Sequence, residues 1–114
     1  MKIKNRNTLL ESGIVESRRI VLDVLEETLC NIDSYNILKK MISLDGDNLT
    51  IGNRTWDLSK KNNIYVIGAG KASNAMVKAI DEILGDKITD GVVSVKIAEP
   101  EDQYKKIRLF VGGH

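Results

Sequence analysis

Residues Asn62–Ile80 read NNIYVIGAGKASNAMVKAI, and the reading of this stretch decides the fold. Ile64–Ile67 is an apolar run without alternation, the pattern of a strand in a parallel sheet covered on both faces. Gly68 and Gly70 then make a tight turn. Ala72, Met76, Ile80, Ile83 and Leu84 follow at helical spacing, and Gly85 suits the helix C-terminus. Lys71 stands where the helix should begin. A cation there opposes the helix dipole by roughly 0.3–1 kcal/mol. Either the lysine is solvated and the cost is tolerated, or an anion meets it.

Further along, GVVSVKI from Gly91 reads as a second strand and KIRLFV from Lys106 as a third, with Pro100 and its charged neighbours between them. Strand, helix, strand implies a parallel pair with a right-handed crossover. Upstream, Ile14, Val21, Leu25, Leu29 and Ile32, with Leu22 beside them, give a helix from about Ser12 an apolar stripe. Ser34 is placed to cap a second helix carrying Ile37, Leu38, Met41 and Ile42. Leu49 and Ile51, the Gly52-Asn53 turn and Thr55–Leu58 predict a β-hairpin. Met1–Asn7 is polar and predicted to be loosely held.

The expected fold is α/β: N-terminal helices and a small hairpin, then part of a Rossmann-like parallel three-layer sheet. With 114 residues there is room for one small domain. A third strand that runs directly into Gly112-Gly113-His114 reads as the approach to a loop. We therefore expect residues 1–114 to be the truncated N-terminal portion of a larger α/β domain, an incomplete domain with no second domain present.

Composition narrows the function. Seventeen basic residues against sixteen acidic ones leave a formal charge of +1, which gives no footprint for nucleic acid. Apolar runs fall short of the ~20 residues of a membrane helix, and the basic start MKIKNRN is followed by no apolar signal segment. One cysteine and one histidine exclude an internal disulfide and disfavour a zinc site, so no metal site is expected within this chain. A reducing, cytoplasmic compartment is the expected location. Cys30 reads as a core residue, Trp56 as a packing anchor and Arg18-Arg19 as a solvated face.

The loop GAGKAS, Gly68–Ser73, is the candidate site. A turn free of bulky side chains lets backbone N–H groups approach a phosphate or carboxylate. It supplies the first two glycines of a G-x-G-x-x-G pattern, with Ser73 in place of the third. Glu99 lies farther along than the ~20 residues usual for a ribose-binding acid. A Walker loop is excluded, since Tyr65 stands where its first glycine belongs and Ala72 where its Ser or Thr belongs. The plain alternative is a glycine turn that only packs a helix on a sheet.

Several stretches together carry a family resemblance. VIGAGKASNAMVKAIDEILGDKITDGVVSVK resembles the N-terminal part of the glycerate 2-kinase family, whose members are also labelled hydroxypyruvate reductases. SRRIVLDVLEETL, LTIGNRTWDL and the closing IRLFVGGH are similar to its other opening segments. The resemblance implies two α/β domains around a cleft and transfer of phosphoryl from ATP, with Mg²⁺, to the 2-hydroxyl of glycerate. It implies that Lys71 stabilises charge as the catalytic residue. It also implies that Gly68, Ala69, Gly70, Ser73, Lys96 and His114 bind substrate or nucleotide. The sequence departs from the family at Glu99, where a histidine is common, and the Pro-Val-Pro-Asp segment that follows the family's histidine is not in this chain. The implied function is the N-terminal part of an ATP-dependent glycerate 2-kinase, inactive by itself. The alternatives are a non-catalytic nucleotide- or anion-binding module, or a structural remnant. The unpaired edge of the third strand invites a homo-oligomer.

Overall fold

The computed structural model describes residues 2–112. A short helix α1 (Arg6–Leu9) leads into α2 (Val15–Asn31) and α3 (Ser34–Met41). An antiparallel meander follows: β1 (Ile42–Asp45), β2 (Asn48–Ile51) and β3 (Arg54–Asp57). A second sheet holds β4 (Tyr65–Ala69), β5 (Asp90–Val95) and β6 (Ile107–Val111), with α4 (Ser73–Leu84) crossing from β4 to β5. Its strands are parallel in the order β4-β5-β6. The expected strand–helix–strand–strand unit is therefore present, as an α/β fold.

The hairpin is larger than expected. Ile42, read as the end of a helix, begins β1 and pairs with Ile51. The backbone turns extended at Ile42, with φ −116° and ψ 128°, because its side chain is drawn into the core beside Leu49, where it is buried. Ser34 does not cap α3. Asp33 does, accepting from the amides of Tyr35 at 3.0 Å and Asn36 at 3.3 Å. Asp33→Ala should cost about 1 kcal/mol of stability, read as a lower midpoint in urea.

The main core joins one sheet face to α4 and the meander: Val77, Leu84, Ile88, Val93, Val95 and Ile107 pack with Ile42 and Leu49. Alternation decides which face this is. Val66, Val93, Ile107 and Leu109 lie toward α4. Tyr65, Ile67, Val92 and Phe110 lie on the opposite face. That face is uncovered, and Ile67 is 88% exposed. The expectation of a strand buried on both faces holds for one face only. Beside the free edge of β4 runs an apolar groove of about 440 Å³, walled by Leu38, Leu49, Ile51, Met76 and Ile80.

The predicted stripe on α2 also lies open. Ile14, Val21, Leu25, Leu29 and Ile32 are all exposed, and Leu22 is the residue of this helix that is buried. The molecule is correspondingly long, with a radius of gyration of 18.3 Å against ~13 Å for a compact chain of this size. The N-terminal segment is less loose than predicted. The Lys2 side chain pairs with Asp33 and Arg6 with Asp23, while the Lys2 and Ile3 amides donate to Glu26. Cys30, expected in the core, is half-buried. Trp56, at 37% exposure, pairs with Leu49 across the meander.

Three carboxylates give the fold an acid limit. The Tyr35 hydroxyl, donating to Glu82 Oε2 at 2.5 Å, and then Lys39 hold the Glu82 carboxyl below its ordinary range. The Lys2 ammonium and the amide of Asn36 do the same for Asp33, and the Lys2 and Ile3 amides for Glu26. Because each folded-state value lies below the unfolded one, the stabilisation is complete above the unfolded-state value, about pH 4. It is lost as pH falls through the lower folded-state values. Asp81 works the other way: burial first, then Glu82 and Asp86, raise its carboxyl, so acidification relieves it. The thermal midpoint should fall below about pH 4, and Glu82→Gln should flatten part of that fall.

Candidate functional site

The site is built where β4 gives way to α4. Gly70 takes φ +127°, a conformation that L side chains rarely adopt. Its amide donates to Ser94 O at 3.3 Å, and its carbonyl accepts from Ser73 N at 3.2 Å. Gly70 thus fastens the turn to β5 and closes it onto the helix. Gly68 is different: it sits in the parallel ladder opposite Val93, and a Cβ there would meet Val93 at an ordinary 3.5 Å.

These bonds decide which amides remain for a ligand. The residue at the helix N-cap is Ala72, with no side-chain cap. Among the described residues the amides of Lys71, Ala72, Asn74 and Ala75 have no hydrogen-bond acceptor. Unsatisfied N–H groups at a helix start, reinforced by the dipole, form an anion cradle. The donors therefore lie slightly C-terminal of the glycines that the sequence emphasises. Ser73 is buried at the first helical position, and Ala69 closes β4 with its side chain on the open face.

Lys71 follows the end of β4 and Lys96 the end of β5, two neighbouring parallel strands. Ala69 pairs with Ser94 and Val95 with Val111. The register of β5 and β6 runs on to Gly112, while the side chain of Asn74, at the start of α4, holds the backbone of Ile97 directly after Lys96. The Gly112 amide accordingly donates to Val95 O at 2.9 Å. Lys71 and Lys96 are exposed, and among the described residues neither forms an ion pair. Two uncommitted cations thus flank four open amides at the C-terminal edge of a parallel sheet, where ligands of open α/β sheets bind. His114 lies outside the described residues. Glu99 is exposed beyond β5, its amide donating to Asp102 Oδ2 at 3.0 Å.

Sequence reasoning missed Asn74 and Asp102. Asn74 Nδ2 donates to Ile97 O at 2.7 Å and to Asp102 Oδ2 at 2.9 Å. Two polar residues this far apart in sequence carry no spacing signal. No group of three or more His, Cys, Asp or Glu side chains among the described residues is placed to hold a metal. No helix among them is long and apolar enough to cross a membrane.

Comparison with known proteins gives this geometry a context. A glycerate 2-kinase of Pyrococcus horikoshii is 27% identical over 100 residues, which is 88% of this chain and 22% of that protein. A glycerate 2-kinase of Picrophilus torridus is 28% identical over 112 residues, 98% of this chain and 24% of that one. Rat glycerate kinase is 41% identical over 61 residues, 52% of this chain and 11% of its own length. The chain thus spans from a tenth to a quarter of these relatives. A crystal structure of a protein from Pyrococcus horikoshii OT3 superposes with a TM-score of 0.66 at 26% identity, covering 85% of this chain and 21% of that one. The model of a family described as a domain of unknown function, DUF4147, matches residues 20–114. The chain therefore belongs to the DUF4147 family and is a homologue of glycerate and glycerate 2-kinases.

Proposed function

We propose that this chain is the N-terminal segment of an ATP-dependent glycerate 2-kinase, and that the turn from Gly68 to Ser73 receives an anionic group. The observation that carries the reading is the set of four open amides at the start of α4 flanked by Lys71 and Lys96, in a homologue of glycerate kinases. Phosphoryl transfer asks a protein mainly for positioning and for positive charge where negative charge gathers. The amides position the anion. Lys71 stabilises its charge, whether on the substrate carboxylate or on the phosphoryl group. Lys96 adds a second cation from the neighbouring strand. The family resemblance assigns His114 to substrate binding as well. ATP would bring the phosphates that these groups suit. Mg²⁺ usually needs one or two protein carboxylates in addition to phosphate oxygens. Among the described residues no group of three or more His, Cys, Asp or Glu side chains is placed to hold the ion. A cytoplasmic location and self-association through the exposed sheet belong to the same proposal.

By itself the chain should not turn over glycerate. It spans at most about a quarter of the relatives above, and four amides with two lysines form one wall of a cleft. A coupled assay for ADP, with ATP, Mg²⁺ and glycerate supplied, should read no rate above background. Glycerate-dependent ADP formation that Lys71→Ala abolishes would contradict this. Binding tests the reading directly. ATP should shift the backbone amide resonances of Lys71, Ala72, Asn74 and Ala75, and an unresponsive loop would refute it.

A further inference from the structure

The segment that follows β5 carries Lys96, and little packing holds it. Lys96, Ile97, Ala98, Glu99, Pro100 and Glu101 are all exposed, Ile97 at 55%. What fastens it is a polar knot. Asn74, in the first turn of α4, donates through Nδ2 to Ile97 O at 2.7 Å and to Asp102 Oδ2 at 2.9 Å. The same carboxylate oxygen accepts from the Glu99 amide at 3.0 Å, and the Asp102 amide donates back to Glu99 O at 2.9 Å. The carboxamide of Asn74 has two N–H donors on one nitrogen, and these two contacts use both. One reaches the backbone directly after Lys96, and the other reaches the residue that folds the segment back.

We propose that Asn74 and Asp102 are positioning residues that hold the segment after β5 against the start of α4 and so keep Lys96 at the helix start. The anion affinity of the loop then depends on a side-chain pair that itself need not touch the anion. This inference rests on the anion site proposed above. Asn74 is suited to the task for a chemical reason. An aspartate there would face Ile97 O and the Asp102 carboxylate with acceptors only, and the knot would open. Asp102 has a conservative replacement, since an asparagine still offers one oxygen to both donors.

The test uses the 114-residue chain with inorganic phosphate as the probe. Amide hydrogen exchange without phosphate reads the knot, and amide resonance shifts on titration read the affinity. Asn74→Ala and Asp102→Ala should each speed exchange between Ile97 and Asp102 by roughly fivefold to tenfold, the scale of one or two hydrogen bonds. They should weaken phosphate binding by about threefold, the scale of one exposed charge contact. Asp102→Asn should leave both near the natural values. In a Lys96→Ala background Asp102→Ala should weaken binding no further, because the pair acts through that lysine. Unchanged exchange in Asn74→Ala would overturn the inference. So would a freed segment with unchanged phosphate affinity, or additive losses with Lys96→Ala. If phosphate leaves the Lys71–Ala75 amides of the natural chain unmoved, the anion reading fails and the inference with it. The exchange data would then still show whether the knot holds the segment.

Discussion

Gly70→Val should abolish phosphate binding at the loop and lower stability by about 1–3 kcal/mol, the usual cost of a side chain in a sparsely allowed conformation. Space is not the obstacle, since a Cβ at Gly70 would meet Ser73 Oγ no closer than 3.9 Å. The backbone is. Gly70 holds φ +127° between a bond to Ser94 O and a bond from Ser73 N. Valine must either bear the strain or rotate the peptide, and rotation redirects the Lys71 amide. For a domain of this size the loss corresponds to a thermal midpoint roughly 5–20 °C lower. Gly68→Ala is the contrasting variant. It meets Val93 at an ordinary distance within regular strand geometry and should stay within about 1 kcal/mol of the natural stability. Thermal denaturation of the two variants separates the glycine that shapes the turn from the one that only lies in the strand.

Self-association should be equally plain. The uncovered sheet face carries Tyr65, Ile67 and Phe110 at 63%, 88% and 55% exposure, and both β4 and β6 have free edges. Hydrogen-bonding parity adds to this. The Ile64 carbonyl and the Gly70 amide point toward β5, so Tyr65, Ile67 and Ala69 present their N–H and C=O groups to the free edge. Full burial of one large apolar side chain contributes roughly 1.5–3 kcal/mol. Covering Ile67 and Phe110 therefore strengthens association by about two to four orders of magnitude. Light scattering at high concentration should show dimers or larger species, and Ile67→Lys with Phe110→Lys should return a monomer. A monomeric natural chain would count against this account.

What the sequence discloses and what it hides have physical causes. The β4–α4–β5–β6 unit is legible because an apolar run, a glycine turn and a helical stripe follow one another without competing patterns. Ile42 is misread because Leu38, Met41 and Ile42 share helical spacing, while Ile42–Asp45 alternates equally well as a strand. The contact with Leu49 and Ile51, which decides the matter, is tertiary. The stripes on α2 and β4 show which residues are apolar, but periodicity says nothing of what covers them, and here both lie largely open. At the site, the glycine loop and its lysine stand out in the sequence. The approach of the Lys96 segment to the start of α4 needs the fold, which sets Ile97 O against Asn74. The open amides need the hydrogen bonds that Gly70 makes elsewhere, and the Asn74–Asp102 contact needs the folded chain.

The central claim is that Lys71 stands at the start of α4 to meet an anion. The most direct test titrates phosphate into the ¹⁵N-labelled chain and compares Lys71→Ala with Lys78→Ala. The account predicts shifts concentrated at Lys71, Ala72, Asn74 and Ala75. It predicts a dissociation constant on the order of millimolar, since one loop buries little of the ligand. Affinity should fall as salt is added, because the site is exposed and screened. Lys71→Ala should weaken binding severalfold, while Lys78→Ala, farther along the helix and stacked over Tyr35 at 5.4 Å, should leave it unchanged. Shifts spread evenly over the surface, or an unaltered response in Lys71→Ala, would show that the lysine is merely solvated and would contradict the account.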